Sequence, residues 1–121
     1  MTRIILVVLF LLSPIMGLEA YAQANKMASA DIVCPVTGGA SIQALAARPG
    51  RYSYSINNTS GIDIRFVGLA SGTTTLTSSN SFLLKAGQPY SDSAPGLYTG
   101  RVVCQSTTAA TATINVVETY K

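Results

Sequence analysis

Arg51-Tyr52-Ser53-Tyr54-Ser55-Ile56-Asn57, Asn58-Thr59-Ser60-Gly61 and Ile62-Asp63-Ile64-Arg65-Phe66-Val67 follow one another without a break, and their pattern decides the fold class. In the first group Tyr52, Tyr54 and Ile56 fall on one face and Arg51, Ser53 and Ser55 on the other, the period-2 alternation of a half-buried strand. In the third, Ile62, Ile64 and Phe66 alternate with Asp63 and Arg65 in the same way. The four residues between them are small and polar, with a glycine, which is turn chemistry. Two antiparallel strands joined as a hairpin are therefore expected.

Working outward, Asp31–Pro35 reads as a first strand and Thr37-Gly38-Gly39 as a turn, while Ile42–Ala47 fits either a short helical turn or an irregular edge strand. Gly68–Asn80 is mostly Gly, Ser and Thr, long for a connection and without side chains to fill a core, although Thr73–Thr77 has the composition of an edge strand. Ser81–Lys85 follows as a strand with Phe82 and Leu84 inward, and Ala86-Gly87-Gln88-Pro89 ends it. Tyr90–Gly96 reads as a surface loop. In Leu97–Gln105, Tyr98, Val102 and Cys104 share the inner face and Thr99, Arg101 and Gln105 the outer. After a turn at Ser106–Ala109, Thr111–Tyr120 is the last strand, with Ala112, Ile114 and Val116 inward. About 6–7 short strands and no helix after the leader define an all-β chain, a small antiparallel β-sandwich or flattened barrel.

The N-terminus has another purpose. Met1-Thr2-Arg3 carries one positive charge, Ile4–Leu12 is wholly apolar, and Ala20-Tyr21-Ala22 and Ala22-Gln23-Ala24 place small residues where a signal peptidase reads them. Residues 1–22 are expected to be a helical signal peptide, cleaved after Ala22 or Ala24. The apolar run is too short for a spanning helix, which needs roughly 20 residues, so no stable membrane anchor is expected. Residues 23–30 then form a loose lead-in and residues 31–121 one sandwich domain. The product is expected to be secreted or periplasmic, either free or associated with a virion or cell surface.

Export gives the two cysteines their meaning. Cys34 and Cys104 lie near the two ends of the domain, in a compartment where disulfides form and persist. The pattern independently puts Cys104 on a buried face, so a Cys34–Cys104 bond is expected.

The chemistry absent from the sequence restricts function. The chain has no histidine and no tryptophan, so with both cysteines paired neither a Ser-His-Asp nor a Cys-His site can be assembled, and zinc lacks its usual ligands. No metal or cofactor is expected. After the leader, Asp31, Asp63, Asp92 and Glu118 are the acids, and a glycosidase needs only two of them, with Asp63 and Glu118 as the pair to test. The favoured expectation is that these carboxylates are solvated charges at sheet edges and that the protein is not an enzyme. Lys26, Arg48, Arg51, Arg65, Lys85, Arg101 and Lys121 are scattered singly, which argues against a nucleic-acid partner. The overlapping sequons Asn57-Asn58-Thr59 and Asn58-Thr59-Ser60 read as chance products of a Ser/Thr-rich turn. Tyr90, beside Pro89 and Asp92, is the tyrosine expected to meet a partner, whereas Tyr52, Tyr54 and Tyr98 are assigned to core packing.

The succession Arg51-Tyr52-x-Tyr54-x-Ile56-x-Asn58-x-Ser60, Ile62-x-Ile64, Phe82-x-Leu84-x-Ala86-Gly87-Gln88, Tyr98-Thr99-Gly100-x-Val102 and Ile114-x-Val116-x-Glu118 resembles small β-sandwich accessory proteins of bacteriophage particles, the head-decoration and fibre-associated domains. The resemblance implies a non-enzymatic structural protein that binds a capsid, a tail or its own copies through a sheet face or loop tips, with no catalytic residues to carry over. The leader and the disulfide depart from that group. They imply assembly at an envelope, or use of a related domain outside the cytoplasm. The first expectation for function is thus a structural or adhesive interaction module. The alternative is a free periplasmic or secreted protein that binds a glycan or envelope protein through Gly68–Asn80 and Tyr90–Gly96.

Overall fold

The computed structural model describes residues 26–93 and 96–121; the leader and both candidate cleavage positions lie outside the described residues. Eight strands follow in order: β1 (Lys26–Cys34), β2 (Ile42–Leu45), β3 (Arg51–Asn58), β4 (Ile64–Leu69), β5 (Phe82–Leu84), β6 (Pro89–Ser93), β7 (Arg101–Ser106) and β8 (Ala112–Tyr120). They form two four-stranded sheets, β1-β8-β3-β6 and β2-β7-β4-β5, with every pair antiparallel. This is the expected all-β sandwich. Tyr54, Ile56, Ile114 and Val116 from the first sheet and Ile64, Phe66, Leu84 and Val102 from the second meet in the core. The disulfide Cys34–Cys104 joins the end of β1 to β7, one sheet to the other, across a sequence separation of 70.

The expected β3–β4 hairpin is not what forms. β3 pairs with β8 and β6, and β4 with β7 and β5, so the segment between them is an arch that carries the chain from one sheet to the other. Asn58 explains the arch. Its side chain is buried, and Nδ2 donates to the carbonyls of Ile62, Leu84 and Lys85 at 2.8, 3.3 and 3.1 Å, while Oδ1 accepts from the Ser60 N–H and hydroxyl. Alternation fixes which side chains face the core and says nothing of whether two inward faces lie side by side or opposite each other.

Other expectations are corrected by backbone pairing. The stretch Lys26–Ala30 is not a loose lead-in: it pairs with Val116–Tyr120. Its side chains are mostly exposed and give no period-2 signal, because a ladder at a sheet edge is made by backbone groups. Ile42–Leu45 is the edge strand of the two alternatives left open, with a register shift between Gln43 and Leu45. In β3 the register shifts between Arg51 and Ser53; this bulge moves Arg51 to the inside and leaves Tyr52 half-buried. Gln105, expected outward, is fully buried. Its Oε1 accepts from the Leu76 N–H at 2.7 Å, and its Nε2 donates to the carbonyls of Val36 and Gly39. This pins the Gly68–Asn80 connection and buries Leu76 within a segment expected to contribute nothing to packing.

Candidate functional site

Pairing alone places Tyr90 and Asp92, the residues expected from the sequence to meet a partner. Tyr90 and Asp92 lie on strand β6 rather than in a loop, because Pro89–Ser93 pairs with Ser53–Asn57. In that register Tyr90 sits opposite Ile56 and Asp92 opposite Tyr54. Directly opposed residues of an antiparallel pair share a face, so both point to the inside of the sandwich at its last strand. From the second sheet, Phe66 and Phe82 are opposed across β4 and β5, with ring centroids 5.7 Å apart. The sheets meet here through Phe66 and Tyr90 at 4.9 Å, with Tyr54 6.0 Å from Tyr90.

This flank is open. Phe82, Tyr90 and Tyr98 are 66%, 36% and 38% exposed, and a cavity of about 260 Å³ lies between them, lined also by Tyr54, Phe66 and Asp92. β5 is only three residues long and pairs with Ile64–Phe66, so beyond Phe66 the outer edge of β4 has no partner strand among the described residues. The outer edge of β6 is likewise unpaired there. The expectation that Phe82 and Tyr98 are core residues is therefore corrected. Phe82 ends a short edge strand where no further strand covers it, and Tyr98 precedes β7 and forms a wall of the cavity.

Tyr98 is held in place by a network that sequence reasoning missed. Arg51, turned inward by the β3 bulge, donates from Nη1 to the carbonyls of Tyr98 and Gly100 at 3.2 and 3.0 Å, and from Nη2 to that of Ala46. Its charge is matched by Glu118, whose Oε2 accepts from Nε at 2.9 Å. Glu118 is buried rather than solvated at a sheet edge, the opposite of expectation. Its Oε1 lies 2.9 Å from Arg48 Nε, but that N–H has no aligned acceptor, so the contact is one of charge. The Arg48 guanidinium stacks 3.8 Å from the centre of the Tyr120 ring, and the Arg48 backbone N–H donates to the Thr99 carbonyl at 2.8 Å. The ring of Tyr98 in turn lies against Gly68, where an added Cβ would come within 2.5 Å of it, and against Gly100.

Burial raises the Tyr54 hydroxyl far above the usual phenolic range, and the neighbouring Tyr90 and Asp92 add to the shift against the opposing Arg51 charge. The hydroxyl stays protonated at any ordinary pH.

The four acids among the described residues occupy four unlike settings. Asp31 accepts from Asn115 Nδ2 at 2.9 Å. Asp63 accepts the Ala86 N–H at 2.8 Å and pairs with Lys85 at 3.1 Å, and these contacts lower its carboxyl below the ordinary range. Glu118 lies between two arginines and Asp92 at the aromatic cavity. Asp63 and Glu118, the candidate glycosidase pair, share no partner. Asn58 is too buried to be a glycan acceptor, its amide being spent on three carbonyls.

Fold and site together define a disulfide-tied, two-sheet antiparallel sandwich with one aromatic flank left open. No protein-family model and no curated protein matches the sequence. Among solved structures, the fold is similar to a chain from the Bacillus endospore appendages, described as a novel family of disulfide-linked pili, at a TM-score of 0.48 and 16% identity over 82% of this chain and 90% of that one. The likeness to bacteriophage accessory domains rests on the residue pattern alone. In the fold that pattern marks the Asn58 arch, the turn at Gly87 (φ 72°) into β6 and the Tyr98 wall.

Proposed function

We propose that this chain is an exported, non-enzymatic structural or adhesive module that docks an extended segment of another protein, or of another copy of itself, along the flank between β5 and β6. The observation that carries this is the coincidence there of three exposed aromatic rings with two unpaired strand edges. An extended segment gains backbone hydrogen bonds from a free edge and specificity from side chains set into a neighbouring cavity. Aromatic residues are enriched where proteins bind one another. The leader-like N-terminus and the disulfide support a location outside the cytoplasm. The absence of histidine from the sequence and the separate settings of the four acids support a non-catalytic role. The resemblance to phage accessory sandwiches points the same way, toward a component of a particle or surface assembly.

A glycan ligand is the second reading, favoured by aromatic rings standing beside a carboxylate. Both place the contact on one flank, and substitution there tests them. Phe82→Glu alters a largely exposed side chain and leaves the core intact. It is expected to move the protein from the assembly or cell-surface fraction of its source cells to the free fraction, whereas Val33→Glu on β1, the far edge of the same sandwich, leaves its distribution unchanged. Equal behaviour of the two variants would exclude the flank.

A further inference from the structure

Asp92 is set apart from the other acids. Glu118 and Asp63 have cations of their own chain within 3.1 Å, and Asp31 has the Asn115 amide. Asp92 Oδ1 accepts the N–H of its own neighbour Ser93 at 2.9 Å, and among the described residues no lysine or arginine pairs with it. Yet it lines a cavity whose other walls are apolar or aromatic, with the rings of Tyr54, Phe66, Phe82, Tyr90 and Tyr98 among them. Aromatic faces carry negative electrostatic potential and attract cations within about 6 Å of the ring centre. A neutral ligand that closed the cavity would strip water from the carboxylate and return no compensating charge. A cation on an apolar stem compensates Asp92 and packs its methylenes on the rings.

We propose that the cavity is a receptor for a cationic side chain, the lysine or arginine of the segment that docks on this flank. The proposal rests on the docking function above and specifies its chemistry. Arg51, whose guanidinium carbon is 5.5 Å from the Tyr54 ring centre, does not fill this role: its charge and donors are committed to Glu118 and three carbonyls.

The test is a titration of the protein, followed by the NMR resonances of the Tyr54, Phe66, Tyr90 and Tyr98 rings, with acetyl-Ala-Lys-Ala-amide, its norleucine counterpart and a methyl glucoside. The lysine peptide is expected to shift these rings and to bind about fivefold more tightly than the norleucine peptide. Its affinity is expected to fall as salt is raised and to drop by a similar factor in Asp92→Asn, which keeps the shape and the bond from Ser93. Equal binding of the two peptides, or an unchanged affinity in Asp92→Asn, overturns the cationic receptor and leaves docking on the flank intact. Ring shifts with the glucoside alone, or with none of the three, overturn both.

Discussion

At Glu118 two guanidinium groups converge on one carboxylate, Arg51 on Oε2 and Arg48 on Oε1, and the Arg51 side chain is wholly removed from solvent. Taking one partner from a buried pair leaves the other charge uncompensated, at a cost of about 3–5 kcal/mol. Three carbonyls still hold Arg51 in Glu118→Gln, so this variant is expected to lose roughly 3 kcal/mol, read from the shift of its urea midpoint. Asp63 makes the opposite kind of pair, exposed and dependent on pH. Its carboxyl is lowered first by the Ala86 N–H and then by Lys85. A folded value below the unfolded one gives stability that is complete above about pH 4 and is lost as pH falls through the folded value. Unfolding midpoints followed from pH 6 to pH 2 should therefore decline less steeply in Asp63→Asn than in the parent. Both acids read as edge charges from the sequence. Only Asp63 is partly solvated; Glu118 continues the inward series Ala112, Ile114 and Val116 of β8, where Arg48 and Arg51 meet it.

Among the elements, β3, β4 and β8 were legible because each alternates over six or more residues, and their inward Tyr54, Ile56, Ile64, Phe66, Ile114 and Val116 are the core. What alternation did not carry was sheet membership. The pairing of Lys26–Ala30 with β8 and the bulge at Arg51 come from backbone bonds whose partners are distant in sequence, and the β3–β4 arch from the Asn58 side chain, which bonds the carbonyls of Ile62, Leu84 and Lys85. The flank was half legible. Residue type marks Tyr90 and Asp92, but β6 lacks an apolar alternation, so its registry with Tyr54 and Ile56 is not visible in the sequence. The period-2 pattern points Phe82 and Tyr98 inward, but it does not show that β5 is an edge and that β7 starts only at Arg101. The close approach of Tyr98 to Gly68 yields a prediction at this scale. Gly68→Ala should push the flexible ring aside at a cost of about 1 kcal/mol, and nuclear Overhauser contacts from the Tyr98 ring to residue 68 should disappear while those within the β4–β7 ladder persist.

For the whole molecule, the disulfide is the covalent cross-link that ties the sheets together beyond the backbone's own crossings, joining β1 to β7. A separation of 70 residues corresponds to about 4 kcal/mol of unfolded-state entropy in the chain-entropy model, a large share of the 5–15 kcal/mol typical of a folded domain. The Cys34→Ser, Cys104→Ser double variant should lose about that amount in denaturant unfolding, and reduction of the parent should reproduce the loss. This bond is legible from two cysteines, the leader expected at the N-terminus and the alternation around Cys104. Such a tie suits a domain whose first strand is largely exposed and whose opposite flank is open.

That flank is the core of the functional account, and it can be interrogated directly. A photo-crosslinking amino acid placed at Phe82, and separately at Val33 on the far edge, would be irradiated in the protein's source cells, and the adducts resolved by mass spectrometry. The account predicts one discrete adduct at position 82, to a protein segment bearing a lysine or arginine, and none at position 33. Equal adducts at the two positions, or none at position 82, would contradict it.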